Sequence, residues 1–360
     1  MPRKELTRFS VANVPSLLNA ESHLPKRARY PVVDFHNHLF AAMDGGDLVQ
    51  VMDEVGVAVF NNVSGNAVLP YVDNAYTIQR VDFSDFANNH IERFPGRFTA
   101  FTMADFAQWQ DFVLIKTNDF AEACIQRLDA DVALGARGLI ITKELGLRFV
   151  DATGSLVRID DCRLDPIWRH AEKTHLPVLM HVSDPKGFFL PMDQNNEHYQ
   201  TLQEFPSWSF YGSRFSKAEL LEQRNTVIAR FPQIAFILPH VANLPEDLSS
   251  VAQLLDAFPN VHIDFSARID ELGRQPYRSR DFFIAYQDRI LFGTDMPVSA
   301  DVYRCYFRFL ETRDEYFSYP DYIGRWGRCR WRIYGLHLPD HVLQKVYYQN
   351  AQRLLPGIRL

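Results

Sequence analysis

The sequence predicts a single-domain α/β protein built as a (β/α)8 TIM barrel. Short apolar runs typical of strands alternate with helical patterns along most of the chain, which indicates consecutive βαβ units. There are eight such runs, the number that closes a barrel of this kind. An open, doubly wound sheet would instead need a glycine-rich phosphate loop after its first strand, and this chain has His36-Asn37-His38 there.

The predicted elements follow one another in regular order. The eight predicted strands are Val32–Phe35, Val57–Asn61, Phe98–Phe101, Gly138–Ile141, Val178–Met180, Ile234–Leu238, Val261–Asp264 and Ile290–Phe292. The predicted helices include Asp119–Val132, Asp165–Thr174, Lys217–Arg230, Pro245–Ala257, Arg280–Tyr286 and Pro339–Leu354.

Two segments outside this alternation bear on the domain organisation. Residues 1–30 precede the first strand and are predicted to be an N-terminal extension that wraps the barrel, and residues 31–360 are predicted to form the barrel domain. The longest insertion, Ser183–Ser216, is a loop after strand 5 that is rich in Phe, Trp and Tyr. Because loops at the carboxyl ends of barrel strands build active sites, we expect this loop to line the pocket.

The composition excludes several classes of function. A net charge of −6 gives no global attraction for nucleic acid, and we interpret the arginine-rich run Arg325–Arg332 as a surface or interface strip. No apolar stretch reaches the 18 residues of a spanning helix, and no apolar run follows the charged N-terminus. The four cysteines are scattered, which predicts neither a disulfide framework nor a cysteine-type zinc site. We therefore expect a cytoplasmic protein with a small-molecule substrate and no nucleic-acid or membrane partner, while the choice between monomer and homodimer stays open.

Histidines and one aspartate stand where predicted strands end. His36 and His38 are two residues apart on an extended backbone, so both imidazoles point to one side and can share a cation. His181, His240 and Asp295 each follow a different apolar strand. Since the carboxyl ends of all the strands meet at one face of a barrel, we expect these residues to form one site.

In these residues the sequence resembles the amidohydrolase superfamily, in particular its branch that includes aminocarboxymuconate semialdehyde decarboxylase and related hydrolases. The resemblance covers about residues 31–355. The segments that carry it are Asp34-Phe35-His36-Asn37-His38, Met180-His181, Pro239-His240, Phe292-Gly293-Thr294-Asp295-Met296-Pro297 and the helix that contains Asn350-Ala351.

The resemblance implies a metal site and a set of roles. It implies that His36, His38, His181 and Asp295 bind one divalent metal ion, and that His240 lies just beyond bonding distance as an acid/base or water-orienting group. Three imidazoles and a carboxylate suit zinc, with manganese as the alternative, and bound zinc can lower the pKa of water to about 7. Asp295 could also accept the proton of that water, so His240 and Asp295 are the catalytic candidates.

Two cationic residues at the same face are candidates for binding substrate. Lys143 ends the fourth strand, where it could bind an anionic substrate, carry the carboxylate that bridges two metals in dinuclear relatives, or be a plain surface lysine. Arg268 follows the seventh strand, where it could clamp a carboxylate or form a salt bridge with Asp264 or Asp270.

Three functions are compatible with these residues. The first is metal-dependent hydrolysis of a small, carboxylate-bearing cyclic amide, lactone or ester by a metal-activated water. The second is metal-dependent, non-oxidative decarboxylation of a small cyclic or aromatic acid. The third is metal binding without catalysis. The sequence favours hydrolysis, by analogy with the commoner chemistry of the superfamily.

Overall fold

The computed structural model describes residues 16–40, 43–72, 75–108, 113–114 and 119–360. Eight parallel strands form the central sheet, and each pairs with its neighbour in chain order. The strands are β1 (Val32–Asn37), β2 (Val57–Asn62), β3 (Phe98–Thr102), β4 (Ala136–Ile141), β5 (Val178–Met180), β6 (Phe236–Leu238), β7 (Val261–Asp264) and β8 (Ile290–Leu291). The prediction of a (β/α)8 barrel is therefore confirmed, with strand bounds that differ by one or two residues.

Backbone hydrogen bonds join the last strand to the first. The amide of Phe35 donates to the carbonyl of Phe292 at 2.9 Å, and the amide of Asp295 donates to the carbonyl of His36 at 2.9 Å. These bonds close the barrel. They also tie Asp295, in the segment after β8, directly to His36 near the end of β1.

The longer helices follow the strands around the barrel. They are α1 (Gly45–Val55), α2 (Phe83–Phe86, continued by a π-helical turn at Ala87–Glu92), α3 (Asp119–Ala133), α4 (Asp165–Thr174), α5 (Lys217–Arg230), α6 (Leu248–Ala257), α7 (Pro276–Ala285) and α8 (Ala300–Glu311). The C-terminal helix is α9 (Asp340–Gln344), a π-helical turn (Lys345–Gln349) and α10 (Asn350–Leu354) in one continuous run.

Helix ends differ from the sequence predictions where capping decides them. Helix α6 begins at Leu248 and not at Pro245, because the side chain of Asp247 accepts a hydrogen bond from the amide of Ser250 and caps the helix. Helix α5 begins where it was predicted, with a capping box in which Ser216 and Glu219 bond each other's backbone amides.

The barrel interior is packed with apolar side chains. Phe35 of β1 and Phe101 of β3 meet edge to face at 5.7 Å between ring centroids. A methyl group on Gly138 of β4 would lie 2.6 Å from the ring of Phe101, so glycine is needed for the ring to fit between these strands. The core is therefore closed below the site, which opens only at the carboxyl ends of the strands.

Two irregular segments cover those carboxyl ends. The insertion after β5 contains 3₁₀ turns at Lys186–Phe189 and Pro206–Trp208 and a short helix at Tyr199–Glu204. The second covering segment lies between α8 and α9. The two segments pack on each other where Trp208 meets Tyr322 edge to face at 5.6 Å. In the part of the chain that the structure describes, every helix is too short or too polar to cross a membrane.

Candidate active site

One pocket at the carboxyl ends of the strands gathers most of the residues singled out in the sequence. Its walls come from the ends of seven of the strands or the loops that follow them, and from the two covering segments. The lining residues are His38, Phe40, Leu69, Tyr71, Ile140, Thr142, Lys143, His181, Asp184, Phe188, Trp208, His240, Ala267, Arg268, Asp295 and Tyr322.

His36 and His38 are held from behind by polar partners that fix their tautomers. Nδ1 of His36 donates to Oδ2 of Asp264 at 2.8 Å. Nδ1 of His38 lies 2.8 Å from Oγ of Ser64, whose hydroxyl can donate onward to Asn62. With Nδ1 of each ring engaged in this way, Nε2 is the atom left to bind a metal ion.

Asp295 completes a group that could hold a metal. His36, His38 and Asp295 offer ligand atoms that all lie within 4.8 Å of one another. Oδ1 of Asp295 is 3.7 Å from Nε2 of His38. Burial opposes protonation of His36, but the charges of Asp264 and Asp295 outweigh it and raise the pKa of His36 to about 9, so a metal ion would replace a proton on this ring. Two imidazoles and one carboxylate, all buried or nearly so, are a donor set that fits a divalent cation such as zinc.

The fourth residue that the resemblance implies as a ligand, His181, lies in the pocket but outside this group. Its Nε2 faces the carbonyl oxygen of Ser183 at 3.0 Å and Oδ1 of Asp184 at 3.5 Å. Both neighbours are hydrogen-bond acceptors, so Nε2 carries a proton in this arrangement. The ring would have to turn before Nε2 could bind a metal.

His240 is presented by a strained turn. After β6, the four residues His240, Val241, Ala242 and Asn243 all have φ between 55° and 61°. Non-glycine residues in this left-handed region cost about 1–2 kcal/mol each, and runs of them are rare. The turn places the backbone amide of His240 3.1 Å from Oδ1 of Asp264, the same carboxylate that holds His36.

The hydrogen bonds of His240 define what its ring can do. Nδ1 donates to the carbonyl oxygen of Ser266 at 2.7 Å, so Nε2 carries a lone pair. Nε2 lies 3.5 Å from Oδ2 of Asp295. Burial, and next the nearby charge of Arg268, hold the pKa of His240 well below its usual range. A neutral ring with Nε2 free is a proton acceptor, which favours a base role over stabilisation of an oxyanion.

Asp34 anchors the strand-end loops to one another. Its buried carboxylate accepts hydrogen bonds from the hydroxyl of Tyr303 at 2.7 Å, the side chain of Asn37 at 3.0 Å and the backbone and hydroxyl of Thr294. Thr294 directly precedes Asp295. Asp34 therefore positions Asp295 without entering the pocket.

Lys143 and Arg268 share one carboxylate that the sequence analysis did not single out. Nζ of Lys143 is 2.5 Å from Oδ2 of Asp184, and Nη2 of Arg268 is 3.5 Å from Oδ1 of the same residue. Burial opposes ionisation of Asp184, but Lys143, His181 and Arg268 together outweigh it and hold the pKa of Asp184 well below its usual range. The partner of Arg268 is thus neither Asp264 nor Asp270, the two alternatives raised from the sequence.

Sequence reasoning also missed the residues that support the histidines. Asp264 is the last residue of β7, Ser266 follows β7 and Ser64 follows β2, so each stands at a strand end like the residues it supports. Their position was therefore a usable signal, but their partners lie far away in the chain. The arginine-rich run lies away from this pocket, with Arg325 paired to Glu204 at 2.6 Å and to Asp321 at 2.7 Å.

Several solved structures resemble this fold at low sequence identity. A 2,6-dihydroxybenzoate decarboxylase from Rhizobium is 17% identical, with 91% of this chain and 99% of that chain covered and a TM-score of 0.54. A dihydroxybenzoic acid decarboxylase from Polaromonas sp. JS666, with bound manganese and the inhibitor 2-nitroresorcinol, is 16% identical, with coverages of 92% and 98% and a TM-score of 0.57. A putative amidohydrolase from Staphylococcus aureus is 15% identical, with coverages of 91% and 99% and a TM-score of 0.51. At these identities the similarity shows the fold alone.

A search of curated protein sequences gave no significant match. The family model for amidohydrolases, by contrast, matches residues 33–357, from the second residue of β1 to beyond the C-terminal helix. The matched region includes all of the barrel except the first residue of β1, and every residue of the pocket described above. The chain therefore belongs to the amidohydrolase family.

Proposed function

We propose that this amidohydrolase is a metal-dependent hydrolase of a small, carboxylate-bearing cyclic amide, lactone or ester. The observation that carries the proposal is the position of Asp295. Its Oδ1 lies 3.7 Å from Nε2 of His38, and its Oδ2 lies 3.5 Å from Nε2 of His240. One carboxylate thus joins the candidate metal group to a neutral imidazole, which is the combination that metal-assisted hydrolysis uses.

The metal would be held by His36, His38 and Asp295, with His181 as the fourth ligand after its ring turns. We propose zinc, with manganese as the alternative, because imidazole nitrogens and a carboxylate suit both ions. When bound, such an ion lowers the pKa of a coordinated water and polarises a carbonyl oxygen.

The protein's own groups then handle the protons. His240 Nε2 can accept a proton from the attacking water, because Nδ1 is committed to the carbonyl of Ser266. Asp295 lies within reach of the same nitrogen and can pass a proton toward the leaving group. The strained turn at His240 and the hydrogen bond of its Nδ1 to Ser266 hold this ring in place before substrate arrives. Little reorganisation is therefore needed during the reaction.

The rest of the pocket suits a flat, anionic substrate. Lys143 and Arg268 supply positive charge on one side, and both side chains are at least nine-tenths buried. Aromatic rings also line the pocket, with Phe40 and Tyr71 at 5.8 Å from each other and Trp208 at 5.6 Å from Tyr322. The ring of Tyr322 also lies 5.6 Å from the guanidinium carbon of Arg268. A cyclic body could lie between these rings while its carboxylate faces the two cations.

Turnover of candidate cyclic esters, lactones and amides in ¹⁸O-labelled water tests the reaction class. Hydrolysis places one ¹⁸O atom in the product acid and releases no carbon dioxide. His240→Gln should lose most of the turnover, because it removes the base, and should still bind zinc. His90→Gln is the matched control, since His90 is a buried histidine that the pocket does not include, and it should keep full turnover. Full turnover after removal of the metal by a chelator would contradict the proposal.

Decarboxylation of a small aromatic acid is the second candidate. The specific observation in its favour is that the cations and the candidate metal group lie in one aromatic-walled pocket, which could hold a carboxylate away from water. Two of the structurally similar proteins are decarboxylases of dihydroxybenzoic acids. In that reaction His240, once protonated, would deliver a proton to the ring carbon. Release of carbon dioxide without ¹⁸O in the organic product would select this reaction in place of hydrolysis.

A further inference from the structure

We propose that Asp184 sets the substrate class of this pocket by cancelling one of its two positive charges, so that the pocket accepts a monocarboxylate in preference to a dicarboxylate. This inference rests on the proposed function, because it concerns which anion the site binds. It differs from the assignment of Lys143 and Arg268 as substrate-binding residues, since it names the residue that decides how much negative charge they accept.

The geometry shows one carboxylate placed between two cations. Oδ2 of Asp184 is 2.5 Å from Nζ of Lys143, while Oδ1 is 3.5 Å from Nη2 of Arg268. The three side chains are exposed by only 10%, 5% and 5% in the order Lys143, Asp184, Arg268. With so little solvent between them their charges are weakly screened, so the net charge of the cluster, +1, is what an incoming anion meets.

Asp184 is fixed from behind and cannot move out of the pocket without breaking further contacts. The backbone carbonyl oxygen of Asp184 accepts a hydrogen bond from Nζ of Lys217 at 2.8 Å. Lys217 in turn pairs with Glu246 at 2.7 Å, so its own charge is balanced locally. The carboxylate of Asp184 should therefore stay between the cations when substrate binds, and only one positive charge is left over.

Three other acidic residues lie near the cluster and do not change this count. Asp295 belongs to the candidate metal group. Glu271 also acts on Arg268, but burial, and next the charge of Asp270, raise the pKa of Glu271 well above its usual range, which favours its uncharged form. Asp270 acts on Arg268 through space but faces the neighbouring cavity, where it accepts a hydrogen bond from Tyr322 at 3.3 Å. All three are identical in all of the variants below, so their effects cancel in the comparison.

A series of variants separates the charge of the cluster from its shape. Lys143→Gln lowers the net charge to 0, and Asp184→Asn raises it to +2. The double variant Lys143→Gln/Asp184→Asn returns it to +1 and leaves no unpaired partner of the 2.5 Å contact. The probes are benzoate and benzene-1,3-dicarboxylate, whose rings are the same and whose charges differ by one. Binding is measured by calorimetry on the zinc-loaded protein and again after removal of zinc.

The wild-type protein should bind benzoate about tenfold more tightly than the dicarboxylate, and Asp184→Asn should reverse this order, because close charge pairs change affinity by at least this much. Lys143→Gln should bind both probes weakly, and the double variant should regain the wild-type order. Unchanged preference in Asp184→Asn, a dicarboxylate preference in the double variant, or no binding of either probe by the wild type would overturn the proposal. If Asp184→Asn does not fold, the double variant alone decides.

The same measurements keep this inference apart from the reaction class. Probe binding needs no turnover, so a protein that hydrolyses nothing can still show the charge-dependent order. Conversely, a hydrolase whose preference ignores Asp184 would support the proposed function and refute this inference.

Discussion

Asp264 is the residue whose replacement tests most directly how the metal group is held. Its carboxylate is fully buried and accepts four hydrogen bonds. Oδ2 accepts from Nδ1 of His36 at 2.8 Å. Oδ1 accepts from the hydroxyl of Ser266 at 2.6 Å, from the amide of Ser266 at 3.0 Å and from the amide of His240 at 3.1 Å. Asp264→Asn keeps the shape and leaves Oδ1 in place, but it sets an amide NH₂ against the N–H of His36.

The size of the effect follows from that donor–donor contact. His36 must move its proton to Nε2 or lose its hydrogen bond, and either change impairs the lone pair offered to the metal. Replacing an outer partner of a metal-binding histidine typically costs 10- to 100-fold in affinity, which corresponds to about 1.4–2.7 kcal/mol. The loss of a buried hydrogen bond to a charged group should also lower the free energy of unfolding of the metal-free protein by about 1–3 kcal/mol.

Zinc affinity is measured by competition with a chromophoric chelator, and stability by chemical denaturation of the metal-free protein. Asp314→Asn is the matched control. Asp314 is also buried and accepts hydrogen bonds from Arg308 at 2.6 Å and from His23, but it contacts none of the residues of the site. The control should lose stability and keep its zinc affinity. Wild-type zinc affinity in Asp264→Asn would refute the reasoning that Asp264 orients His36.

Two further predictions concern stability. Ala242→Gly should change the free energy of unfolding by less than about 0.5 kcal/mol, because relief of the strain at φ 55° offsets the lost methyl group. The control is Ala171→Gly, at an equally buried position in α4, which should lower the free energy of unfolding by about 1.5–2 kcal/mol. Equal losses at the two sites would contradict this. Burial, aided by Arg289 and Arg353, lowers the pKa of His262 to about 3, so the unfolded chain takes up a proton below pH 6.5 that the native state resists. The free energy of unfolding of the wild type should therefore fall by about 3 kcal/mol between pH 7 and pH 4 because of this group, and His262→Gln should lack this contribution. Free energies of unfolding that change in parallel with pH in the two proteins would disprove the prediction.

The barrel could be predicted because its determinants are local in the sequence. The strands are largely buried on both faces, so several of them consist of a short unbroken apolar run, as in Val178–Met180 and Phe236–Leu238. The strand-end residues could be predicted for the same reason, since a histidine or aspartate directly after such a run must lie at the carboxyl face. The sequence pattern therefore specifies whether a residue lies within the barrel or at the carboxyl ends of its strands.

The orientation of the side chains could not be predicted in this way. The proton on Nδ1 of His36 depends on Asp264, which is 228 residues away in the chain. The ring of His181 faces Ser183 because of a local turn that the strand pattern does not encode. For Arg268 the sequence left open a substrate carboxylate or a salt bridge with Asp264 or Asp270, and in the structure it pairs with Asp184.

Backbone strain marks the places where local sequence preference gives way to the site. Non-glycine residues with positive φ follow three consecutive strands: His240 after β6 at 57°, Ala267 after β7 at 51° and Asp295 after β8 at 47°. All three line the same pocket. Non-glycine residues are uncommon in the left-handed region, even though Asp and His occur there more often than most, so the surrounding structure must hold them there, as the bond from the amide of Asp295 to the carbonyl of His36 does. The strain is therefore a second line of argument, independent of residue type and of family, that places the chemistry at this end of the barrel.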